Sequence, residues 1–363
     1  MKDGQIKQLY VFRALAALSV CSIHFTYESF FNNYFAQHVF VQLFFSLSGF
    51  IIAYNYHNKL NNLKTFFKFI TKRFRRLYPL HFFFLIGFLI LEIIKYVLVH
   101  KFDTQSNSLP FEINNTKNFL LNLFFVQHFA DQPNFNGPSW SISVEMMLYA
   151  TFGMTLLIFK NKFFIICLYF IYIIFFIFFL NSHYGEVLSI FAFYSGLYSF
   201  LIGCLFCFYL KKIKNISTQS PHLRLKIYFN ILFYIFLSIF LLEIFYLHAI
   251  KQRYFYSIIF GLIFFYSCLL NKKFFLFKIL FNNFFIFIGK ISYSIYMSHL
   301  AIFYIFNNLL VHVFKYETKF NKGRTDTILT SFEANFYTII IYILVILFSS
   351  ITYKYVEMKY YKK

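Results

Sequence analysis

Charged side chains are scarce in this chain. Asp, Glu, Lys and Arg make up 13% of its 363 residues, against roughly 25% in an ordinary soluble domain. Acidic residues are scarcer still, at 13 against 34 Lys and Arg, while 60% of the chain is hydrophobic. So little polar surface excludes a soluble globule, which needs a polar exterior. The five cysteines, Cys21, Cys167, Cys204, Cys207 and Cys268, all lie in apolar runs. That placement argues against a disulfide framework, and Cys204-x-x-Cys207 lacks a soluble redox context. HExxH, a phosphate-binding glycine loop and Cys/His metal spacing are all missing, so no metal is expected. Nor is there an internal repeat, a Pro-rich linker or an extramembrane domain. The first apolar run contains Arg13 and His24 and no small-residue cleavage site, so it reads as a retained first span.

Long apolar runs are what the chain does have. A helical span needs about 20 mostly apolar residues. Ten candidates run near 10–28, 36–56, 77–99, 138–159, 163–181, 186–210, 227–247, 253–270, 290–312 and 332–354. The expected fold is therefore all-α: a polytopic transmembrane helical bundle with both termini cytoplasmic. The segment 118–129 is apolar but short, which suits a re-entrant or interfacial helix. On this topology the inner segments hold 24 of the Lys and Arg residues and the outer segments nine, with Arg13 inside a span. That asymmetry follows the positive-inside rule. It accounts for the net charge of +21 without nucleic acid as a partner; the partner implied is the lipid bilayer. The 61 phenylalanines supply lipid-facing and inter-helix bulk.

Within the spans stand residues that a bilayer disfavours. A charged group at the centre costs at least about 2.5–3.5 kcal/mol on insertion scales, so such groups usually face a polar cavity. Arg13 and His24 lie 11 residues apart in the first span, three turns and about 16 Å of rise on one helix face. The fourth span opens Pro138-Ser139-Trp140-Ser141-Ile142-Ser143-Val144-Glu145. This puts Glu145 about two turns in from the outer face, at a depth comparable to His24. The two can pair as a base and its orienting carboxylate, or simply join two helices. A basic run, Lys72-Arg73-Phe74-Arg75-Arg76, closes the 57–76 segment, read as a cytoplasmic loop. It serves as a topology signal, an anionic-lipid contact or a phosphate clamp. The ninth span carries Ser292, Tyr293, Ser294, Tyr296, Ser298 and His299, the most polar face among the spans. Such groups commonly join helices. In the second span, Ser48-Gly49 allows close helix approach or a local break.

Taken in order, these elements resemble the acyltransferase family 3 membrane proteins, the O-antigen and exopolysaccharide O-acetyltransferases. The matching pieces are Arg13-x10-His24, Phe44-Phe45-Ser46-Leu47-Ser48-Gly49-Phe50 and Arg73-Phe74-Arg75-Arg76-Leu77-Tyr78-Pro79. Trp140-Ser141-Ile142-Ser143-Val144-Glu145, Gly289-Lys290-Ile291-Ser292-Tyr293-Ser294-Ile295-Tyr296 and Tyr353-Lys354-Tyr355-Val356-Glu357 complete the set. Two departures stand out. Leu197 occupies a place where relatives often carry Arg, before Phe200-x-x-Gly203. Glu357 is followed by Met358-Lys359-Tyr360 in place of the usual Lys-Pro.

The resemblance implies transfer of an acyl group, usually acetyl, from cytoplasmic acetyl-CoA to a hydroxyl. The acceptor it implies is an extracytoplasmic glycan or lipid-linked sugar: lipopolysaccharide, capsule or exopolysaccharide. It implies a cell-membrane location, the inner membrane of a bacterium. Acetyl-CoA enters as donor substrate and no bound cofactor is implied. Residues 1–363 form a single family-type domain in its stand-alone form, without the soluble domain that many relatives append. Arg13, His24, Arg73, Arg76 and Glu145 take the essential roles. Arg73 and Arg76 grip the CoA phosphates, with Arg13 further in, and His24 with Glu145 acts on the acceptor hydroxyl. Ser143, Tyr293 and Ser294 are the hydroxyls placed to touch the donor or a developing oxyanion. A lipid-linked glycan flippase or another polytopic transporter, lining a pathway with the same buried charges, remains the alternative.

Overall fold

The computed structural model is predominantly helical. It describes residues 7–35, 39–103, 108–130, 134–159, 188–216, 223–242, 254–269, 281–321 and 324–361, with residue 278 and scattered positions between 164 and 174. The helices are α1 (Gln8–His24), α2 (Phe30–Phe35), α3 (Val39–Tyr56), α4 (Leu63–Phe102), α5 (Thr116–Leu123), α6 (Trp140–Phe159), α7 (Leu188–Ile216), α8 (Leu223–Leu242) and α9 (Tyr254–Ser267). They continue as α10 (Asn283–Lys290), α11 (Ser292–Asn308), α12 (Ser331–Thr352) and α13 (Met358–Tyr361). A hairpin of β1 (Thr318–Asn321) and β2 (Arg324–Thr327) sits between α11 and α12, with Thr318 opposite Thr327 and Asn321 opposite Arg324.

Six of these segments are long and apolar enough to cross a membrane: Val39–Tyr56, Leu63–Phe102, Gly137–Phe159, Ala192–Ile213, Ser292–Val313 and Ser331–Tyr360. Three shorter apolar helices, Gln8–His24, Tyr228–Leu242 and Tyr256–Ser267, accompany them. Nine of the ten expected spans thus fall on an apolar helix; the other, 163–181, lies largely outside the described residues. The distribution of polarity supports the membrane reading. Ile339, Ile343, Leu347 and Ile351 form an exposed row along α12, whereas Thr338 and Ser349 on the same helix are buried. Exposed apolar stripes of this kind have no place on a soluble monomer.

The 57–76 segment is not a loop throughout, as expected from its charge, because α4 begins at Leu63 and runs 40 residues. Asn62 starts it by accepting the Thr65 N–H at 2.9 Å. No Gly or Pro follows before Pro79, so helix propensity is maintained through the basic run. The run therefore stands on a helix, where spacing decides which cations face inward. The segment 118–129 also acquires a definite form. Asn115 caps α5 by accepting the Asn118 N–H, and a short 3-10 turn follows at Gln127–Ala130.

The chain divides into two compact units. One comprises Met1–Ala16, His38–Ile70 and Met147–Lys290. Its centre is the packing of α3 on α7. A Cβ on Gly49 would stand 1.9 Å from the Phe200 carbonyl oxygen, and one on Gly203 would stand 1.9 Å from that of Ser46. Ser48-Gly49 therefore serves close approach, and α3 runs through it unbroken. The contact is reinforced by Gln42 donating to Ser195 Oγ at 2.8 Å. Ser199 and Ser257 share a 2.7 Å bond that joins α7 to α9. Cys204 and Cys207 are buried on α7, and Cys204 lies 3.4 Å from the Gly49 carbonyl oxygen.

The second unit comprises Ala17–Gln37, Thr71–Met146 and Ile291–Lys363. Leu85, Phe88 and Phe135 form a core with Phe119, Leu123 and Leu300 packed against it. The 108–115 loop is anchored on Glu92, which accepts from the Phe111 N–H at 2.8 Å and from Asn114 Nδ2 at 2.9 Å. Lys95 pairs with the same carboxylate at 3.3 Å. At the start of α12, Thr330 and Glu333 form a reciprocal capping box.

Candidate functional site

The second unit contains all the candidate residues except Arg13, which lies in the first. His24 is the last residue of α1. The end of that helix is held by Tyr342 of α12, which donates to the Leu18 carbonyl at 2.8 Å and accepts from Ser22. His24 Nδ1 lies 3.0 Å from the Val20 carbonyl oxygen and 3.0 Å from Nε2 of His299 on α11. His299 is fully buried, and its own Nδ1 lies 3.2 Å from the Ile295 carbonyl oxygen. The rings stand 4.9 Å apart, centroid to centroid, inclined at 49°.

Sequence reasoning placed Glu145 at the depth of His24; the structure adds His299 directly against the ring. It had read His299 as the end of a row of helix-joining groups. The available signal was spacing: Ser292, Tyr296 and His299 follow one another at intervals of four and three, one face of a helix. Glu145 is partly buried on α6, one turn beyond Ser141 and on the same face. Ser141 and the Tyr296 hydroxyl share a 2.7 Å bond, and both lie against the Pro138 carbonyl, at 3.2 and 3.0 Å. The Tyr296 and His299 rings stand 6.1 Å apart. Through Ser141 and Tyr296, α6 and α11 are joined one turn from Glu145 and one turn from His299.

The three hydroxyls proposed to touch the donor have internal acceptors. Ser143 donates to Trp140 O at 2.8 Å, Tyr293 to Leu77 O at 2.7 Å and Ser294 to Glu357 Oε2 at 3.0 Å. A hydroxyl has one proton to give, so in this arrangement none of the three directs a proton outward. Ser143 bonds back within α6, while Tyr293 ties α11 to α4 and Ser294 ties α11 to the π turn Tyr353–Glu357.

The basic run divides by helical face. Arg73 is 7% exposed and Arg76 half-buried, three residues apart on the side of α4 that faces protein; Lys72 and Arg75 are exposed. Burying a guanidinium is costly unless it is compensated, so the face chosen by Arg73 is informative. Beside it, α11 starts at Ser292 with no side chain capping its first turn. The Tyr293–Leu77 bond brings that turn next to the Arg76 turn of α4. Two guanidiniums three residues apart on one helix face form an environment suited to phosphate. His299 lies six residues further along α11, about 9 Å of rise.

In the first unit, Leu197 is buried and lines an apolar cleft with Phe152, Phe200 and Leu201. No cluster of His, Cys, Asp or Glu able to hold a metal occurs among the described residues.

The chain belongs to acyltransferase family 3: the family's acyltransferase domain matches residues 6–354. It is also 30% identical over 156 residues to the acyltransferase MdmB of Streptomyces mycarofaciens, a match covering 39% of this chain and 37% of that protein. No solved structure matches it significantly.

Proposed function

We propose that this chain is a membrane O-acyltransferase that takes an acetyl group from cytoplasmic acetyl-CoA and places it on a hydroxyl of an extracytoplasmic glycan. Family membership supplies the reaction class. The observation that carries the donor assignment is the protein-facing placement of Arg73 and Arg76, three residues apart on α4. A topology signal or lipid contact needs no burial, whereas a guanidinium facing protein can offer its fork to a phosphate held there.

His24 is the group that acts on the acceptor. It takes the hydroxyl proton as the oxygen attacks the thioester carbonyl carbon. The carbon–sulfur bond then breaks, the electron pair leaves with sulfur, and the proton passes from His24 to the thiolate. General-base assistance is typically worth about 10²–10⁴ in rate. Glu145 stands one turn beyond Ser141 on α6, whose hydroxyl meets that of Tyr296. The acceptor class and the inner-membrane location rest on the family resemblance.

Purified protein in nanodiscs, given labelled acetyl-CoA and the glycans of its own cells, tests the reading. The wild type should bind acetyl-CoA and acetylate the glycan. Arg73→Ala and Arg76→Ala should lose donor binding, and His24→Ala should keep binding but lose transfer. Glycan movement indifferent to acetyl-CoA would establish a transporter instead.

A further inference from the structure

We infer that His299 is the positioning residue that sets the proton arrangement of His24, so that the His24 nitrogen facing the reaction is its Nε2 in the basic form. The inference rests on the assignment of His24 as the base, and deepens it. It follows from counting donors and acceptors along one short chain of bonds.

Backbone carbonyls only accept hydrogen bonds. His299 Nδ1 lies against Ile295 O, so Nδ1 carries a proton. His299 is fully buried and has a second ring as its neighbour, an environment that disfavours a charged imidazole. It is therefore neutral, and its Nε2 holds a lone pair. His24 Nδ1 faces that lone pair at 3.0 Å and the Val20 carbonyl oxygen at 3.0 Å. Both partners are acceptors, so the proton of His24 sits on Nδ1, shared between them. A neutral imidazole has one N–H, which leaves the lone pair of His24 on Nε2.

When His24 gains the acceptor's proton it becomes an imidazolium whose Nδ1–H still points at a neutral acceptor. His299 thereby plays the orienting part that a carboxylate plays in a hydrolase triad, without placing an anion in the membrane. It touches neither substrate and acts only through His24. Without it, the Val20 carbonyl is the one acceptor of the pair left to hold the Nδ1 proton, and the ring loses one of the two contacts that set its plane.

The test is a set of His299 variants in the acetyl-transfer assay, with acetyl-CoA binding measured in each. His299→Leu removes the acceptor, and kcat should fall by about 10²-fold, the lower end of general-base assistance, with the KM for acetyl-CoA unchanged. His299→Gln places an amide oxygen where Nε2 stood and should recover most of the loss. His299→Asn is polar but too short to reach His24, and should behave like Leu. Should Leu fail to fold, the Gln–Asn contrast decides the matter. Equal activity of Gln and Asn, full activity of Leu, or a loss expressed in KM would overturn the inference. Full activity of His24→Ala would instead remove the base assignment itself, which separates the two failures.

Discussion

The hydroxyl of Tyr293 donates to the carbonyl oxygen of Leu77 across 2.7 Å, fixing the first turn of α11 against α4 one residue past Arg76. Two roles for Tyr293 carry different expected losses. As an oxyanion donor, its loss would cost about 10²–10³ in kcat. As a tie between helices, its loss costs the modest energy of one interhelical bond, about 0.6 kcal/mol on average in membrane proteins. Tyr293→Phe should therefore raise the KM for acetyl-CoA, by loosening the phosphate-facing turn, and leave kcat nearly intact. Steady-state kinetics with acetyl-CoA as the varied substrate checks this.

Arg73 and Arg75 are two residues apart and differ in what they face. Arg73→Ala should abolish saturable acetyl-CoA binding. Arg75→Ala should leave it within a factor of about two, as expected for an exposed cation whose contacts are worth about 0–1 kcal/mol. Arg73→Lys should rescue little, because a single ammonium does not reproduce the guanidinium fork. Isothermal titration of the three variants in nanodiscs distinguishes them. Equal losses for Arg73 and Arg75 would indicate that total charge, and not the face, binds the donor.

Much of this arrangement can be read from residues alone, for physical reasons that differ by element. Apolar length marks the helices because a bilayer leaves backbone polar groups no other partner. Arg13, His24 and Glu145 stand out because charge in an apolar run is costly, and Arg73 and Arg76 because cations crowd the Lys72–Arg76 run. The face of Arg73 is not legible, since it depends on α4 starting at Leu63, and the charges of that turn disguise the helix. His299 is hidden for another reason. A histidine among serines on an apolar helix looks the same whether it joins helices or meets a second ring, and only the fold brings it to His24, 275 residues away.

Gly49 and Gly203 make a reciprocal contact that tests the first unit. Each stands where a Cβ would be 1.9 Å from a backbone carbonyl oxygen of the opposing helix, and backbone cannot yield as a flexible side chain can. Gly49→Ala and Gly203→Ala should each destabilise by at least the roughly 1–3 kcal/mol typical of overpacking, lowering the yield of monodisperse protein. Gly87 on α4 has nothing within 4 Å of its Cβ position, so Gly87→Ala should be silent or slightly stabilising. Size-exclusion profiles after mild heating in detergent compare the three. A well-behaved Gly49→Ala would show that α3 and α7 separate readily.

Glu92 carries the most explicit structural role among the acidic groups. It is 6% exposed and accepts from the Phe111 N–H, from Asn114 and from Lys95. Hydrogen bonds to a charged group contribute about 1.5–3 kcal/mol each, and here they anchor the 108–115 loop to α4. Glu92→Ala leaves those donors without their acceptor and should release the loop to protease, with cleavage mapping between Ser108 and Asn115. Glu92→Gln keeps an oxygen for the Phe111 N–H but gives up the pairing with Lys95, so protection should be intermediate. Neither change touches the His24–His299 pair or the Arg73 face. Acetyl-CoA binding should therefore persist in both while the loop opens, and its loss would mean that the loop helps to form the donor site.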